Sequence, residues 1–411
     1  MATWSFNKGE WTEAYVFLRL LGDGRIYGAS ANLKKDLSTY IDILNIIRDE
    51  PKKLLIFERD LSDPIAKVKV LKDEKTIQVV TAPELSHYAK ILYEGIKELK
   101  TENKVFPEIQ AYLESMSIDT PKSSLSDSAK EKYGKKTDII IESRNSTDNT
   151  TSTEGFSIKS HLGSSATLFN CSQTSGFTYE IPGCNETMMH QLNAKDSLLS
   201  IISGIKDFGG RLEYVKCRNE IFEQNICIVD SQMDRVLSSA VLAHVGYYTE
   251  SAQSGDVKDI CEFVILQNPV GVKNPESFYP AKFKDFLFAS FAGLTASTAW
   301  NGRKMLSGGY IDVSRDGEML YYRAISDEIF GNYLFKNTYF DRPDRGWCKD
   351  LALAKAKAFL EHTHLTNEEM ARLTYKNGKD GARKSKKGDF GYIYEHEGKY
   401  YMDLNFQIRF R

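Results

Sequence analysis

The sequence predicts a mixed α/β fold. Three observations carry that reading. Stretches with apolar residues at helical spacing and stretches that alternate follow one another along the chain. One strand-like run, "KTDIIIES", is apolar through three consecutive isoleucines. Two late segments read as hairpins, around Asp316-Gly317 and Glu397-Gly398.

Taken in order, "WTEAYVFLRLL" sets Ala14, Phe17, Leu18 and Leu21 at helical spacing, and Asn7, three residues ahead of Glu10, resembles a capping box. "GDG" at 22–24 stops that helix, and "RIYGAS" reads as a short strand. Residues 32–130 read as an inserted α+β subdomain. It holds a helix over "STYIDILNIIRDE", strands around "KLLIFERD", "AKVKVLK" and "TIQVV", and helices through "APELSHYAKILYEGIKELK" and "FPEIQAYLESM". "TPKSSLSDSAKEK" reads as a polar loop. Strands "KTDIIIES" and "GFSIKSHLG" then flank the polar "RNSTDNTTSTE". Helices are expected at 186–206 and 231–249, a buried strand at "NICIVDS", and a helix after the proline of "SFYPAKFKDFLFASF". Residues 341–388 have the texture of a basic helical insertion. The expected core is therefore 1–31 and 131–340 with 389–411, forming a central mixed sheet flanked by helices.

With 411 residues, 41% hydrophobic and 27% charged, the chain can bury a large core and has the balance of a globular protein. No apolar run reaches the ~18 residues of a membrane-spanning helix. "MATWSFNKGEW" lacks the basic start and apolar stretch of a secretory signal. The six cysteines form no Cys-x-x-Cys pair, which disfavours a zinc module and a disulfide framework and points to a reduced, cytoplasmic setting. A net charge of −2 leaves nucleic-acid binding to local clusters of basic residues.

The chemistry centres on Asp138 and Lys159. Alternation puts Phe156, Ile158 and Ser160 on one side of "GFSIKSHLG", and Ser157, Lys159 and His161 on the other. Asp138 opens the isoleucine strand, so pairing of the two strands would bring an aspartate and a lysine to one edge. Phosphodiester hydrolysis suits such a set: carboxylates hold Mg²⁺, and a lysine orients water or steadies charge on the phosphate. Spacing alone leaves a structural ion pair, or two surface charges, as the plainer reading.

The arrangement resembles the PD-(D/E)-x-K nucleases, with Thr137 in place of the proline and Ser157 where the second acid is expected. "NKGEWTEAYVFLRLLGDGRIYGA", "GFSIKSHLGSSATLFN", "NICIVDS", "GGYIDVSRDGEMLYYRA", "NYLFKNTYF" and "FGYIYEHEGKYYMDLNFQIRF" together resemble the HpaII-type restriction endonucleases. That resemblance implies a restriction-endonuclease-like fold and a Mg²⁺-dependent type II endonuclease. It would cut double-stranded DNA at a short palindrome, CCGG being the family's expected site, and leave 5′-phosphate ends. It further implies a bacterial homodimer with a cognate DNA methyltransferase. A same-fold nuclease for repair nicking or modified DNA, or a DNA-binding protein with a decayed site, stays open beside it.

The second acid is the gap. Glu13 on the first helix points toward the core side, and the resemblance to nuclease folds that take a glutamate from this helix makes it the preferred partner of Asp138 for the metal; Glu10 is its rival, although the capping box gives Glu10 a structural task worth about 1 kcal/mol. Glu142 lies about 7 Å further along the Asp138 strand, and Glu154 and Glu180 are more remote. His161 reads as a packing histidine. For DNA, "KNGKDGARKSKK", with Arg383, Lys384, Lys386 and Lys387, reads as a phosphate-binding loop or a solvated surface loop. Arg342 and Arg345 could read guanine edges, or pair with Asp341 and Asp344. "His-Thr-His" at 362–364 has no further ligand near it.

Overall fold

The computed structural model describes residues 3–29, 34–60, 66–99, 103–163, 166–170, 174–195, 197–247, 255–304, 308–323, 327–341, 366, 368–369 and 390–411. The basic stretch with Arg383, Lys384, Lys386 and Lys387 lies outside them, as do Arg342, Arg345 and the His-Thr-His triplet. The chain divides into two compact units, Met1–Ala166 with Lys304–Tyr333, and Thr167–Arg303 with Leu334–Arg411.

The first unit opens with β1 (Phe6–Asn7), α1 (Lys8–Asp23), β2 (Arg25–Ala29), β3 (Lys35–Glu50), β4 (Lys53–Arg59), β5 (Lys67–Lys72), β6 (Lys75–Thr81) and α2 (Ala82–Lys97). It continues through β7 (Asn103–Lys104), α3 (Pro107–Ser115), α4 (Asp127–Tyr133), β8 (Ile139–Asn145) and β9 (Thr151–Ser160). The second unit contributes β10 (Thr167–Phe169), β11 (Gly176–Glu180), α5 (Glu186–Asn193), α6 (Leu198–Asp207), β12 (Glu213–Cys217), α7 (Glu220–Val229), α8 (Met233–His244), α9 (Val257–Gln267) and α10 (Pro275–Phe291). The first unit resumes with β13 (Gly309–Val313) and β14 (Met319–Arg323). After α11 (Asp327–Asn337) the chain ends in β15 (Thr338–Asp341), β16 (Ile393–His396), β17 (Lys399–Asn405) and β18 (Gln407–Phe410).

In the first unit nine strands form one mixed sheet in the order β2-β14-β13-β9-β8-β3-β4-β5-β6. Because β2 also pairs with β3, six of these strands return on themselves, and β4 to β6 run on from β3. Two pairings are parallel, β9 with β13 and β2 with β14. α1 starts at a full capping box between Asn7 and Glu10 and ends at Gly24, whose φ of 68° favours glycine. The isoleucines of β8 serve two faces. Ile139 and Ile141 enter the large core with Phe156 and Ile311, while Ile140 packs with Leu125 and Ala129 under α4. Each such side chain, fully buried, contributes roughly 1.5–3 kcal/mol relative to exposure.

Several expectations are corrected. "STYIDILNIIRDE" is not a helix but most of β3, with Ile41, Ile43 and Ile46 fully inside. Its β-branched residues suit a strand, and a register shift between Ile43 and Asn45 absorbs the break in alternation that mimics helical spacing. "NICIVDS" is the end of α7, started by the Asn219 side chain, which accepts the Phe222 N–H. The polar loop before the Asp138 strand contains α4, capped by Ser126. α10 begins at Pro275 and carries Pro280 within it. Within the segment 32–130, β3 to β6 continue the sheet, and Ile46, Phe57, Leu92 and Leu113 share the core of Ile139 and Phe156.

The second unit has two smaller sheets, β10-β18-β15 and β12-β11-β17-β16, packed with helices around an aromatic core. Phe406 stacks on Phe169 at 5.1 Å and on Phe340 at 5.6 Å. Among the described residues no helix is long and apolar enough to cross a membrane.

Candidate active site

The site forms where β8 and β9 part. Ile139 lies opposite Phe156, and the Asp138 N–H donates to the Phe156 carbonyl at 2.9 Å. Beyond that rung the Asp138 carboxylate stands in for the missing strand. Its Oδ2 accepts the Ile158 N–H at 2.7 Å and the Ser157 hydroxyl at 3.2 Å. Ser157, in the place of the expected second acid, is thus a donor that fixes Asp138.

Alternation along β9 holds. Phe156 and Ile158 pack on the main core, and Ser160 Oγ lies 3.1 Å from Thr12 Oγ1 of α1. Lys159, on the other side, is half-buried. Burial pushes its ammonium pKa down, and the charges of Asp138 and Glu13 oppose that shift. Two carboxylates therefore share one lysine, one just before β8 and one on α1.

Glu13 sits four residues before Phe17, which packs edge-on against Phe57 at 4.7 Å. The Ser123 N–H donates to Glu13 Oε2 at 3.3 Å. Burial, then the charge of Asp138, pushes the Glu13 carboxyl up from 4.5 to about 8, against smaller pulls from Ser123, Arg48 and Lys122. Asp138 is also pushed up by burial, while Lys159, the Ile158 N–H, Ser157 and Lys136 pull it down. Both acids line a cavity of about 10 Å³ with Arg48 and Ser123, at the lower limit of room for one water.

The other candidates are occupied elsewhere. Glu10 closes the capping box and pairs with Lys122 at 2.7 Å. Glu142 accepts from Asn45 Nδ2 at 2.5 Å, and Glu154 pairs with Arg323 at 2.7 Å. Glu180 belongs to the second unit, where it meets Lys399 at 3.1 Å. His161 Nε2 lies 3.0 Å from Asp312 Oδ1, in keeping with a satisfied packing histidine.

Three participants were not singled out from the sequence. Lys136, two residues before Asp138, is pushed down by burial and by Lys159, with Asp138 opposing. A lysine so near the start of an apolar strand was the available signal. Arg48 donates from Nη2 to the carbonyls of Thr120 (3.1 Å) and Lys122 (2.8 Å) and from Nε to Glu50 (2.9 Å), which ties down the segment that reaches Glu13. The helical reading of β3 hid it. Asp312 is the register partner of Lys159 across the parallel β9–β13 pairing, and no local pattern announces that.

Among the described residues no group of three or more His, Cys, Asp or Glu side chains is arranged to hold a metal ion. The donor set present still fits a small hard cation, because magnesium takes one or two carboxylates and fills its remaining positions with water and phosphate oxygens. Asp138 raises the proton affinity of Glu13, and a cation near both would relieve the repulsion that a proton on Glu13 relieves.

The family described as HpaII restriction endonuclease matches residues 7–347. The type II restriction enzyme HpaII of Haemophilus parainfluenzae is 28% identical over 412 aligned positions, which cover 99% of this chain and 98% of that protein. No solved structure matches the chain.

Proposed function

Because the chain belongs to the HpaII restriction endonuclease family and is a type II site-specific deoxyribonuclease, we propose that it cuts double-stranded DNA at CCGG, with Mg²⁺, leaving 5′-phosphate ends. The observation that carries the chemical part is the meeting of Glu13, Asp138 and Lys159 at the fork of β8 and β9. CCGG comes from the family resemblance.

Glu13 and Asp138 would hold the metal, which when bound polarises a phosphoryl oxygen and eases proton loss from water. Lys159 brings a positive charge to the scissile phosphate and to the attacking water. Its partial burial strengthens that charge's effect on a bound anion. Ser157 and the Ile158 N–H keep one oxygen of Asp138 engaged, so the carboxylate is oriented before substrate arrives. Arg48 positions the 120–123 segment against Glu13.

The basic stretch with Arg383, Lys384, Lys386 and Lys387 would hold DNA phosphates, and Arg342 and Arg345 would face base edges. A palindromic site invites a homodimer with two symmetric active sites, in a bacterial cytoplasm where a methyltransferase of the same specificity would protect the host's own DNA. Digestion of a plasmid of known sequence tests the proposal. Discrete fragments whose ends all fall within CCGG are expected in Mg²⁺, and binding without cleavage in Ca²⁺. Ends at another short sequence would remove the CCGG assignment, and binding without cleavage in every divalent metal would remove the active-site assignment.

A further inference from the structure

A second cavity, of about 940 Å³, opens at the C-terminal end of α1. Its walls come from β2, the first half of β3, the end of β4, Arg144 of β8 and the turn between β13 and β14. Asp23 at its rim lies ten residues along α1 from Glu13, roughly 15 Å along the axis. It is therefore distinct from the cleavage site.

The charges of its walls are unevenly matched. Asp23 pairs with Arg19 at 2.6 Å, Glu318 with Lys35 at 2.8 Å, and Asp42 with both Arg25 at 2.8 Å and Arg144 at 3.6 Å. Asp316 accepts the Glu318 N–H of its own turn at 3.2 Å. Arg59 differs. Its Nε donates to the Leu21 carbonyl at 3.1 Å, and among the described residues it has no carboxylate within ion-pair reach. Its guanidinium lies flat on Gly24, so close that a Cβ there would stand 2.1 Å from Cζ. Burial lowers its pKa more than Asp42 and Asp23 raise it, although a guanidinium stays charged at any ordinary pH. Among the described residues the result is a half-buried cation outside any ion pair, with Asp42 and Asp23 acting on it only from a distance, on the wall of a polar cavity.

We propose that this cavity binds a small phosphorylated molecule of about nucleotide size, with Arg59 as the fork that grips a phosphate and Arg144 as a second contact. A planar guanidinium matches phosphate oxygens two at a time. The volume falls within the roughly 300–1,000 Å³ typical of small-molecule sites. A concave cavity also suits a compact ligand better than a duplex backbone.

The test is calorimetric titration of the full chain with pyrophosphate and with ATP, without divalent metal. Saturable binding is expected in the wild type and in Lys159→Ala. It should weaken roughly tenfold or more in Arg59→Gln, the loss of one charge-assisted pair of hydrogen bonds, while DNA cleavage by that variant is unchanged. Arg144→Gln alters an exposed strand end, leaves the fold intact and should weaken binding by a smaller step. The proposal fails if Arg59→Gln binds as tightly as wild type, if Lys159→Ala abolishes binding, or if the wild type shows no saturation at millimolar ligand. It also fails if a duplex lacking CCGG displaces the ligand, since the cavity would then serve DNA backbone.

Discussion

The two units bury carboxylates on opposite principles. In the second unit Asp403 of β17 is almost wholly enclosed, and its Oδ1 accepts from Thr178 Oγ1 at 2.8 Å and from the Tyr394 hydroxyl at 3.0 Å. Arg218 Nε stands 3.5 Å from its other oxygen, and that guanidinium lies 4.7 Å above the Phe390 ring. Burial and the neighbouring Asp403 push the Tyr394 phenol far up, so it stays a donor. In the first unit two carboxylates line one small cavity, and burial, with the charge of Asp138 added to it, pushes the Glu13 carboxyl up to about 8. A low-dielectric interior makes scaffolding when donors surround one acid. It makes a cation-hungry site when a second acid does.

The sharpest break in that comparison is catalytic. Lys159→Ala and Asp138→Ala should each lower cleavage by about 10³-fold or more, with DNA binding in Ca²⁺ kept within a few fold. A near wild-type cutting rate in either would dissolve the site. Next, Glu13→Gln should cost about 10²-fold in cleavage rate, roughly 2.7 kcal/mol of transition-state stabilisation. Glu10→Gln should cost only part of a helix cap, about 1 kcal/mol of stability. Equal full activity in both would move the second acid to Glu142 or Glu154.

Asp403→Ala should do the reverse of the Asp138 change. It leaves Arg218 buried without its partner, so denaturant titration should show a loss of about 3 kcal/mol, while cleavage per folded molecule stays at the wild-type rate. A loss of catalysis without a loss of stability would overturn the division of labour. The smallest effect is in pH. The folded-state pKa of Glu13 is raised, so its contribution to stability is fully present below about 4.5 and is lost as pH rises to about 8. Without metal, Glu13→Gln should therefore melt several degrees above wild type at pH 8.5 and lose that advantage near pH 4.5. Added divalent cation should shrink the gap at high pH. Parallel melting curves across the range would place Glu13 outside the buried pair.

What could be read from the sequence is what local physics decides. The Asn7–Glu10 capping box, the isoleucines of β8, the alternation of β9 and the tight turns at Asp316-Gly317 and Glu397-Gly398 all act over a few residues. Strand alternation singled out Asp138 and Lys159, the family resemblance added Glu13, and the charges of the three act on one another in the structure. β3 was not legible, since "YIDILNII" satisfies helical spacing and strand propensity alike, and the partners that decide it lie on β2, β4 and β8. α7 was obscured by an apolar run too short to reveal its period. Arg48 and Asp312 depend on pairings that no neighbouring residue encodes.

The parallel pairing of β9 with β13 has a consequence in time. Lys159 and its register partner Asp312 are about 150 residues apart in the chain. At about 5–20 residues per second of synthesis, the strand carrying the lysine waits roughly 8–30 s for its neighbour. The nascent chain carries both acids and the lysine well before the sheet that frames them is complete. For an enzyme that cuts DNA, the order of the strands is itself a delay between being made and being armed.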